Sequence, residues 1–504
     1  MASIGVVNAG NPNKQEPSES SNRPKKFYFG VFFDGTSNNM IQRKAAEQFR
    51  DDQKKQKNSD WEIEINTNLN KYGANSLKNT PLNEDNDYSN VAILHSVYQG
   101  LSPKQLQEEQ KTFDIFRYNI YVEGPGKSAV NKDTIAQDTR YVRGSSMGKG
   151  DTGVASLVSK AVRMVKTRIS GIDLSRAEIH FHVVGFSRGA AGARLFSHLV
   201  VRNNGDALDC ESEFDAGKFL HFLDDITVKS KTVDFLGIFD TVSSIGLSYE
   251  NNVTDYGLYS PNESNVLHTF HLCALDEFRD HFAITDIGQA ASKGTNAEIF
   301  IPGCHSDVGG GYITGQDAFI LNYNSKLFIS SPQNTNGEKM TLDNKGSVLS
   351  VLGWYDKSNN ENELILSDKT TTAICRRNVN AGYSNIPLKM MSERAIIETG
   401  HSVFAMNAIG QTRFCIPLGI KELGKRMVEY AKTATGRKFY FPSNTYLYKS
   451  LRNKYLHFSS TDRYTEKITD LAMYPCRHKG VICRILYTGN KGSKTEKHLC
   501  DYNL

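Results

Sequence analysis

No two of the eight cysteines stand in a C-x-x-C spacing, and none alternates with histidines as structural zinc sites require. A zinc-stapled framework is therefore excluded, and most of the thiols are expected in the core. Cys476, Cys483 and Cys500 lie close enough for a disulfide in an oxidising compartment, but sequence does not pair them. No uninterrupted run of apolar residues is long enough for a transmembrane helix. Residues 1–26 are rich in Asn, Ser and Pro and lack an apolar h-region, so they read as a flexible segment and not a Sec-type signal peptide. Any export is expected by a leaderless route. The net charge of +5 is too small for this length to specify nucleic-acid binding. It permits weak attraction to an anionic surface. The runs Arg43-Lys44 and Lys54-Lys55-Gln56-Lys57 sit among acids in a polar stretch and read as solvated surface. There is no internal repeat and no strand-linked G-x-G-x-x-G. Gly126-Lys127-Ser128 has Tyr121 where a phosphate-binding loop needs its first glycine.

What is present is an ordinary globular composition, 39% hydrophobic and 23% charged, in alternating apolar runs. Phe27–Phe33 (FYFGVFF) is short, almost wholly apolar and aromatic, and ends at Asp34-Gly35-Thr36, which fits a strand buried on both faces. A polar stretch from Asn38 to about Asp87 follows as a surface excursion. Ser89 then caps a helix through Tyr98. Phe113–Val122 is a second strand, and a glycine-rich segment, 144–153, follows it. Asp151–Ser170 has helical spacing through Val154, Leu157, Val158, Ala161, Val162 and Val165. Glu178–Val184, Val233–Phe239 and Ala297–Pro302 complete a strand–helix alternation that predicts a predominantly parallel sheet with crossover helices and large insertions. His180 and His182 read as packed sheet residues. Beyond Tyr312 the pattern is less regular: an Asn-rich region lies near 323–360, helices are expected over 387–398 and 421–435, and 439–460 is aromatic-rich.

The chemistry gathers at strand ends. Gly185-Phe186-Ser187-Arg188-Gly189 is a G-x-S-x-G sequence between a predicted strand and the small-residue helix start Ala190-Ala191-Gly192-Ala193. That context is a nucleophile elbow, in which small neighbours permit a strained turn exposing the serine. It points to an α/β-hydrolase-like fold. Ser187 needs a base, and Asp240 and His305 follow later strand ends in the chain order Ser, Asp, His. His305 is assigned as general base and acid, and Asp240 as the acceptor fixing its tautomer. Asp234, inside a strand, projects less readily from the sheet edge. Asp307 is left to order the Gly309-Gly310-Gly311 turn or bind a cation. The Arg188 N–H and a donor from Asp34-Gly35-Thr36, best Gly35, are the expected oxyanion donors. An aspartyl phosphatase is disfavoured because Phe32 stands where a second aspartate is needed. The mechanism requires neither a metal nor an organic cofactor.

Taken together, FFDGTSNN (Phe32–Asn39), GFSRGAAGAR (Gly185–Arg194), FDTVSSIG (Phe239–Gly246), ALDEFR (Ala274–Arg279), GCHSDVGGGY (Gly303–Tyr312) and IPLKMMSERA (Ile386–Ala395) resemble the first family of type VI secretion lipase effectors. This family lies within a larger group of uncharacterised bacterial α/β-hydrolase domains. YLHFSS (Tyr455–Ser460) resembles a later family segment. The resemblance implies a Ser187–Asp240–His305 triad and phospholipase A activity on membrane glycerophospholipids of a rival bacterium. It further implies delivery through a secretion spike protein, a periplasmic immunity protein in the producer, and peripheral action at the target membrane after cytoplasmic synthesis. The expected organisation is a flexible 1–26, a hydrolase core over 27–312, and a C-terminal elaboration over 313–504 that packs on the core and forms a groove or partner surface. Two alternatives stay open: a soluble-ester or envelope esterase with the same triad, and a non-catalytic scaffold binding spike or immunity protein. Neither acyl position nor headgroup preference is legible.

Overall fold

A computed structural model describes residues 23–36, 87–125, 153–201, 227–243, 253, 256–322, 326–327, 349–350, 352–367, 372–405, 414–442, 445–460, 474–478, 481–493 and 495–499, with positions 38, 40 and 407. Most of the polar stretch after Asn38, the basic runs within it, the glycine-rich segment up to 152 and much of the Asn-rich region lie outside them.

The apolar runs become one seven-stranded sheet. Its strands are β1 (Lys25–Phe33), β2 (Asp114–Val122), β3 (Glu178–Phe186), β4 (Ser230–Phe239), β5 (Thr269–Ala274), β6 (Ala297–Ile301) and β7 (Gly436–Phe439). The spatial order is β7-β6-β5-β4-β3-β1-β2, and every pair is parallel. This is the α/β-hydrolase-like parallel architecture expected from the strand–helix alternation. The chain moves outward from β1 to β2, then reverses to β3 on the other side. Such a reversal leaves a crevice at the carboxyl ends of the strands, here beyond β1 and β3, which end at Asp34 and Ser187.

Period-2 alternation decides which face each side chain fills. Phe27, Phe29, Val31 and Phe33 pack under α2 (Val154–Ile169) and α3 (Arg188–Val201), together with Phe181, Val183 and Leu236. Phe32, Val184, Phe235 and Phe239 face the opposite layer, which includes α1 (Asn90–Ser96), α5 (Asn385–Thr399) and α6 (Lys421–Thr433). Ser89 caps α1, accepting from the Ala92 N–H at 3.1 Å. His180 bonds Asp234 at 2.8 Å and His182 bonds the Tyr98 hydroxyl at 2.9 Å, so both are packed sheet residues held through Nδ1, while Nε2 of each ring is buried without a hydrogen bond among the described residues. Asp234 is the extra residue at a register shift between β3 and β4, well short of the sheet edge.

β7 pairs with β6 from far along the chain, and it brings Arg437 onto Glu298 at 2.6 Å. A separate antiparallel sheet is built from Gly315–Asn322, Thr372–Val379 and Glu363–Ser367. Cys483 is disulfide-bonded.

Arg194, the last residue of the elbow sequence, is fully buried on α3. It donates to the carbonyls of Leu258 (2.6 Å), Thr285 (3.0 Å) and Asp286 (3.0 Å), tying α3 to the segments flanking β5 and β6. Burial pushes its pKa down to about 10, still leaving it charged at neutral pH. Arg194→Met preserves much of the volume but strips three buried carbonyls of donors. At ~1–3 kcal/mol per orphaned group, urea denaturation should show a loss of about 3 kcal/mol or more. A loss below about 1 kcal/mol would mean that these carbonyls find other donors.

Candidate functional site

Ser187 (φ 60°) and Asp240 (φ 46°) are the only non-glycine residues with positive φ among those described. Left-handed backbone is costly for both residue types and persists only where surrounding contacts impose it. Here the two turns impose it on each other. The Ser187 N–H donates to Phe239 O at 3.0 Å, and its carbonyl accepts from the Val242 N–H at 3.3 Å. The β3 exit is thereby stitched to both sides of the β4 exit.

The elbow glycines account for the close approach. A Cβ on Gly185 would stand 2.6 Å from the Ala190 Cα, and one on Gly189 would stand 2.1 Å from Asp34 O and 2.4 Å from Phe33 O. The start of α3 thus rests directly on the β1 exit. Arg188 adds a bond from its Nε to Thr36 Oγ1 at 2.9 Å.

His305 opens α4 (His305–Gly309) after β6 and is nearly fully buried. Its Nδ1 donates to Asp240 Oδ2 at 2.6 Å. Its ring lies against Phe186, the neighbour of Ser187, with centroids 4.6 Å apart, and Phe282 stands edge-on at 5.0 Å. Burial pushes the imidazole pKa down, and the Asp240 bond restores only part of that shift. For Asp240, burial works to raise the pKa, but the Arg484 charge and the His305 hydrogen bond outweigh it and hold the carboxyl well below the usual range. The structure thus brings Ser187, Asp240 and His305 to one edge of the sheet, with Asp240 and His305 directly bonded.

Gly35 and Arg188 stand beside this centre, but the Gly35 N–H is engaged: it donates to Asp34 Oδ1 at 2.7 Å. Asp34 also accepts from the Tyr121 hydroxyl at 2.6 Å. Asp307 does not face His305. Its Oδ2 accepts from Cys304 N–H (3.0 Å) and His457 N–H (2.9 Å), and its Oδ1 bonds His457 Nδ1 at 2.7 Å. It caps the His305 turn and anchors it to the 457–459 segment.

Several supporting residues escaped sequence reasoning. Glu277 accepts from the His305 N–H (3.2 Å), from Arg279 (2.8 Å) and from the Ser459 hydroxyl (2.8 Å). Burial works to raise its pKa, yet Arg279 holds it near 2. Arg484 grips Asp240 from the far end of the chain. The ALDEFR and YLHFSS blocks pointed to the Glu277 and His457 regions, but nothing distinguished Arg484. Among the described residues, His271, Cys273 and Glu298 are grouped closely enough for a metal. His271 and Glu298 are engaged with other groups: Thr241 N–H donates to His271 Nε2 (3.2 Å), His271 Nδ1 donates to Glu298 (2.9 Å), and Arg437 and the Ile287 N–H also donate to Glu298 (2.6 and 2.9 Å).

The packing at Gly189 is testable against an internal control. Gly189→Ala drives a Cβ into backbone and should cost about 1–3 kcal/mol. Gly192→Ala, whose Cβ meets nothing closer than 3.4 Å, should be neutral or stabilising in the helix. Thermal melts of the two variants decide it. Equal melting temperatures would mean that the elbow does not rest on the β1 exit.

Residues 206–329 match the family model described as the catalytic domain of the type VI secretion (T6SS) Tle1-like phospholipase effectors. That segment holds Asp240 and His305, and the Ser187 elbow lies just before it. Among solved structures, the Tle1 effector bound to the VgrG spike of the type VI secretion system is 20% identical, with 87% of this chain and 85% of that chain covered and a TM-score of 0.52. At that identity the likeness speaks for the fold. An uncharacterized protein from Pseudomonas aeruginosa is 17% identical over 84% of this chain and 52% of that one, with a TM-score of 0.36. No curated protein matches the chain. Residues 206–329 are thus similar to the catalytic domain of the Tle1-like phospholipase effectors of type VI secretion, and the fold of the chain is similar to that of a Tle1 effector.

Proposed function

We propose that this chain is a phospholipase A effector that cleaves acyl esters of bacterial membrane glycerophospholipids with Ser187 as nucleophile, His305 as base and Asp240 as its orienting carboxylate. The observation that carries this reading is the 2.6 Å His305–Asp240 bond beside a positive-φ serine in an elbow. With Nδ1–H committed to Asp240, Nε2 is the basic nitrogen, the tautomer a serine hydrolase needs.

In acylation, His305 Nε2 removes the Ser187 hydroxyl proton as Oγ bonds to the ester carbonyl carbon. The carbonyl oxygen takes the negative charge and is stabilised by the Arg188 N–H. A contribution from Gly35 requires its N–H to be released from Asp34 or shared with it. Collapse of the intermediate breaks the ester C–O bond, and His305 returns the proton to the departing lysophospholipid. Water, deprotonated by His305, then frees the fatty acid and restores Ser187. Every step is a proton or acyl transfer among Ser187, His305, the ester and water.

The kinship supports a spike protein as delivery partner, since the similar effector is bound to one. Delivery to a recipient periplasm, peripheral membrane action and a periplasmic immunity protein complete the reading. The 313–504 region is proposed as an elaboration of the 27–312 core that shapes the substrate groove or partner surface.

Incubation of the protein with defined phospholipids, followed by mass spectrometry, tests the chemistry. Lysophospholipid and free fatty acid should appear with the parent protein and be lost by at least about a hundredfold in folded Ser187→Ala and His305→Ala. Asp240→Asn should acylate slowly and not be inert. Release of acyl groups from soluble esters alone would favour the esterase alternative, and full activity in folded Ser187→Ala would remove the nucleophile. Growth loss on periplasmic delivery of the parent, but not of Ser187→Ala, bears separately on the antibacterial role.

A pH profile provides a further check. The base must be neutral, so kcat/KM falls as pH drops through the His305 pKa. Burial pushes that pKa below the ordinary value, so the acid limb should lie below about pH 6.5. A limb above that value would mean that a different group, or a more solvated histidine, is the base.

A further inference from the structure

Arg484 lies outside the matched segment and outside every motif read from the sequence, yet its guanidinium is fully buried. All five of its N–H donors find acceptors. Nη1 and Nη2 fork onto Asp240 Oδ1 and Oδ2, each at 2.7 Å. Nη1 also reaches Ala274 O at 2.8 Å, and Nε and Nη2 reach Phe282 O at 3.0 and 2.9 Å. Two of these acceptor residues flank His305: Asp240 takes its Nδ1 proton, and the Phe282 ring stands edge-on to the imidazole. Arg484 is itself held by the Leu499 N–H on its carbonyl (2.9 Å), and the strand that follows, Ile485–Tyr487, pairs with Ile284–Thr285.

We propose that Arg484 is a positioning residue for the hydrolysis proposed above: its fork locks Asp240 toward His305, and its fixed positive charge offsets the Asp240 charge that would otherwise draw a proton onto the imidazole. The inference rests on the Ser187–His305–Asp240 reading. The geometric half follows from counting acceptors. Asp240 receives the two Arg484 bonds, the Ala274 N–H at 2.8 Å and His305, which fills the four lone-pair directions of a carboxylate. Removing the fork leaves the carboxyl free to turn away from the ring.

The charge half follows from the ionisable groups on the elements packed around His305. Asp240 comes from the β4 exit, Glu277 and Arg279 from the turn after β5, Arg484 from the C-terminal region, and Cys304, Asp307 and Tyr312 from its own loop. Glu277 and Arg279 neutralise each other at 2.8 Å, and Asp307 is taken by His457. Asp240 bonds the imidazole directly, and a lone carboxylate there would favour the imidazolium strongly. Paired with Arg484 it does so far less, because the pair carries no net charge.

The test uses the full chain and four proteins: parent, Arg484→Met, Arg484→Lys and Ser187→Ala. Labelling by an alkyl fluorophosphonate, present in the parent and absent in Ser187→Ala, first establishes the nucleophile. If the parent is not labelled, the hydrolase reading fails before Arg484 is judged. With a labelled parent, kcat and KM are then measured against pH on a soluble ester.

Folded Arg484→Met should lose kcat by roughly a hundredfold with KM little changed. Its acid limb should move to higher pH, because the imidazolium is no longer opposed by a neighbouring cation. Arg484→Lys keeps the charge and loses the fork, so kcat should fall while the limb stays with the parent. A loss of kcat equal at every pH in both variants, or a Met variant superimposable on the parent, overturns the inference while leaving the triad intact. If the Met variant does not fold, the Lys variant decides: an unmoved limb with reduced kcat sustains the proposal, and a shifted limb or unreduced kcat overturns it.

Discussion

A fully buried carboxylate at Asp240 is the constraint around which the rest is arranged. Taking an anion out of water costs several kcal/mol unless hydrogen bonds and an opposite charge replace what solvent supplied. Asp240 meets that demand with one main-chain donor, one imidazole and one guanidinium, drawn from the β5 end, the turn after β6 and a segment near the C-terminus. Each contributor must itself be placed. Glu277 holds the His305 amide, Asp307 caps its turn, and His457 and Ser459 tie both acids to a later segment. Asp240 pairs with Arg484 and Glu277 with Arg279, whereas the buried Asp34 at the β1 exit is met by neutral donors from Gly35, Asn38 and Tyr121.

Backbone strain follows the same logic. Ser187 and Asp240 occupy a region of φ that costs free energy, and each is held there by bonds to the other's turn. A second relay lies one residue beyond Asp240. Glu298 accepts from His271 Nδ1, which leaves Nε2 to receive the Thr241 N–H. That fixes the peptide following the strained aspartate. Arg437 on β7 completes the Glu298 environment, so an edge strand from residue 436 onward bears on the conformation at residue 240. His271 and Glu298, which with Cys273 are grouped closely enough for a metal, are joined by hydrogen bonds that make them a brace.

How much of this was legible depends on whether the signal was local. The strands were readable because burial on both faces leaves an almost continuous apolar run, as in Phe27–Phe33, and the helix over Val154–Ile169 because its buried positions recur at three and four. Ser187 was readable because steric demands write small residues around an elbow, and the glycine contacts with Asp34, Phe33 and Ala190 are those demands in atomic form. Asp240 and His305 followed from chain order and strand ends. β7 was missed: four residues, GRKF, with no alternation carry no strand signal of their own and become a strand only through pairing with β6.

Arg484 was invisible for a related reason. It interrupts a short apolar run, VICRILY, which marks a buried segment but does not say what meets the charge, and arginine is almost never fully buried unless paired. Its pairing with Asp240 spans 244 positions and leaves no periodicity behind. The buried acids near the site share this property. Glu277 and Asp276 sit next to each other but serve different partners, Arg279 with Ser459 in one case and Arg452 with Tyr448 in the other. Sequence locates atoms that must leave a local mark, such as a serine in a strained turn. The charges that neutralise and orient them are satisfied through space, and only the folded chain reveals which of sixty basic residues does so.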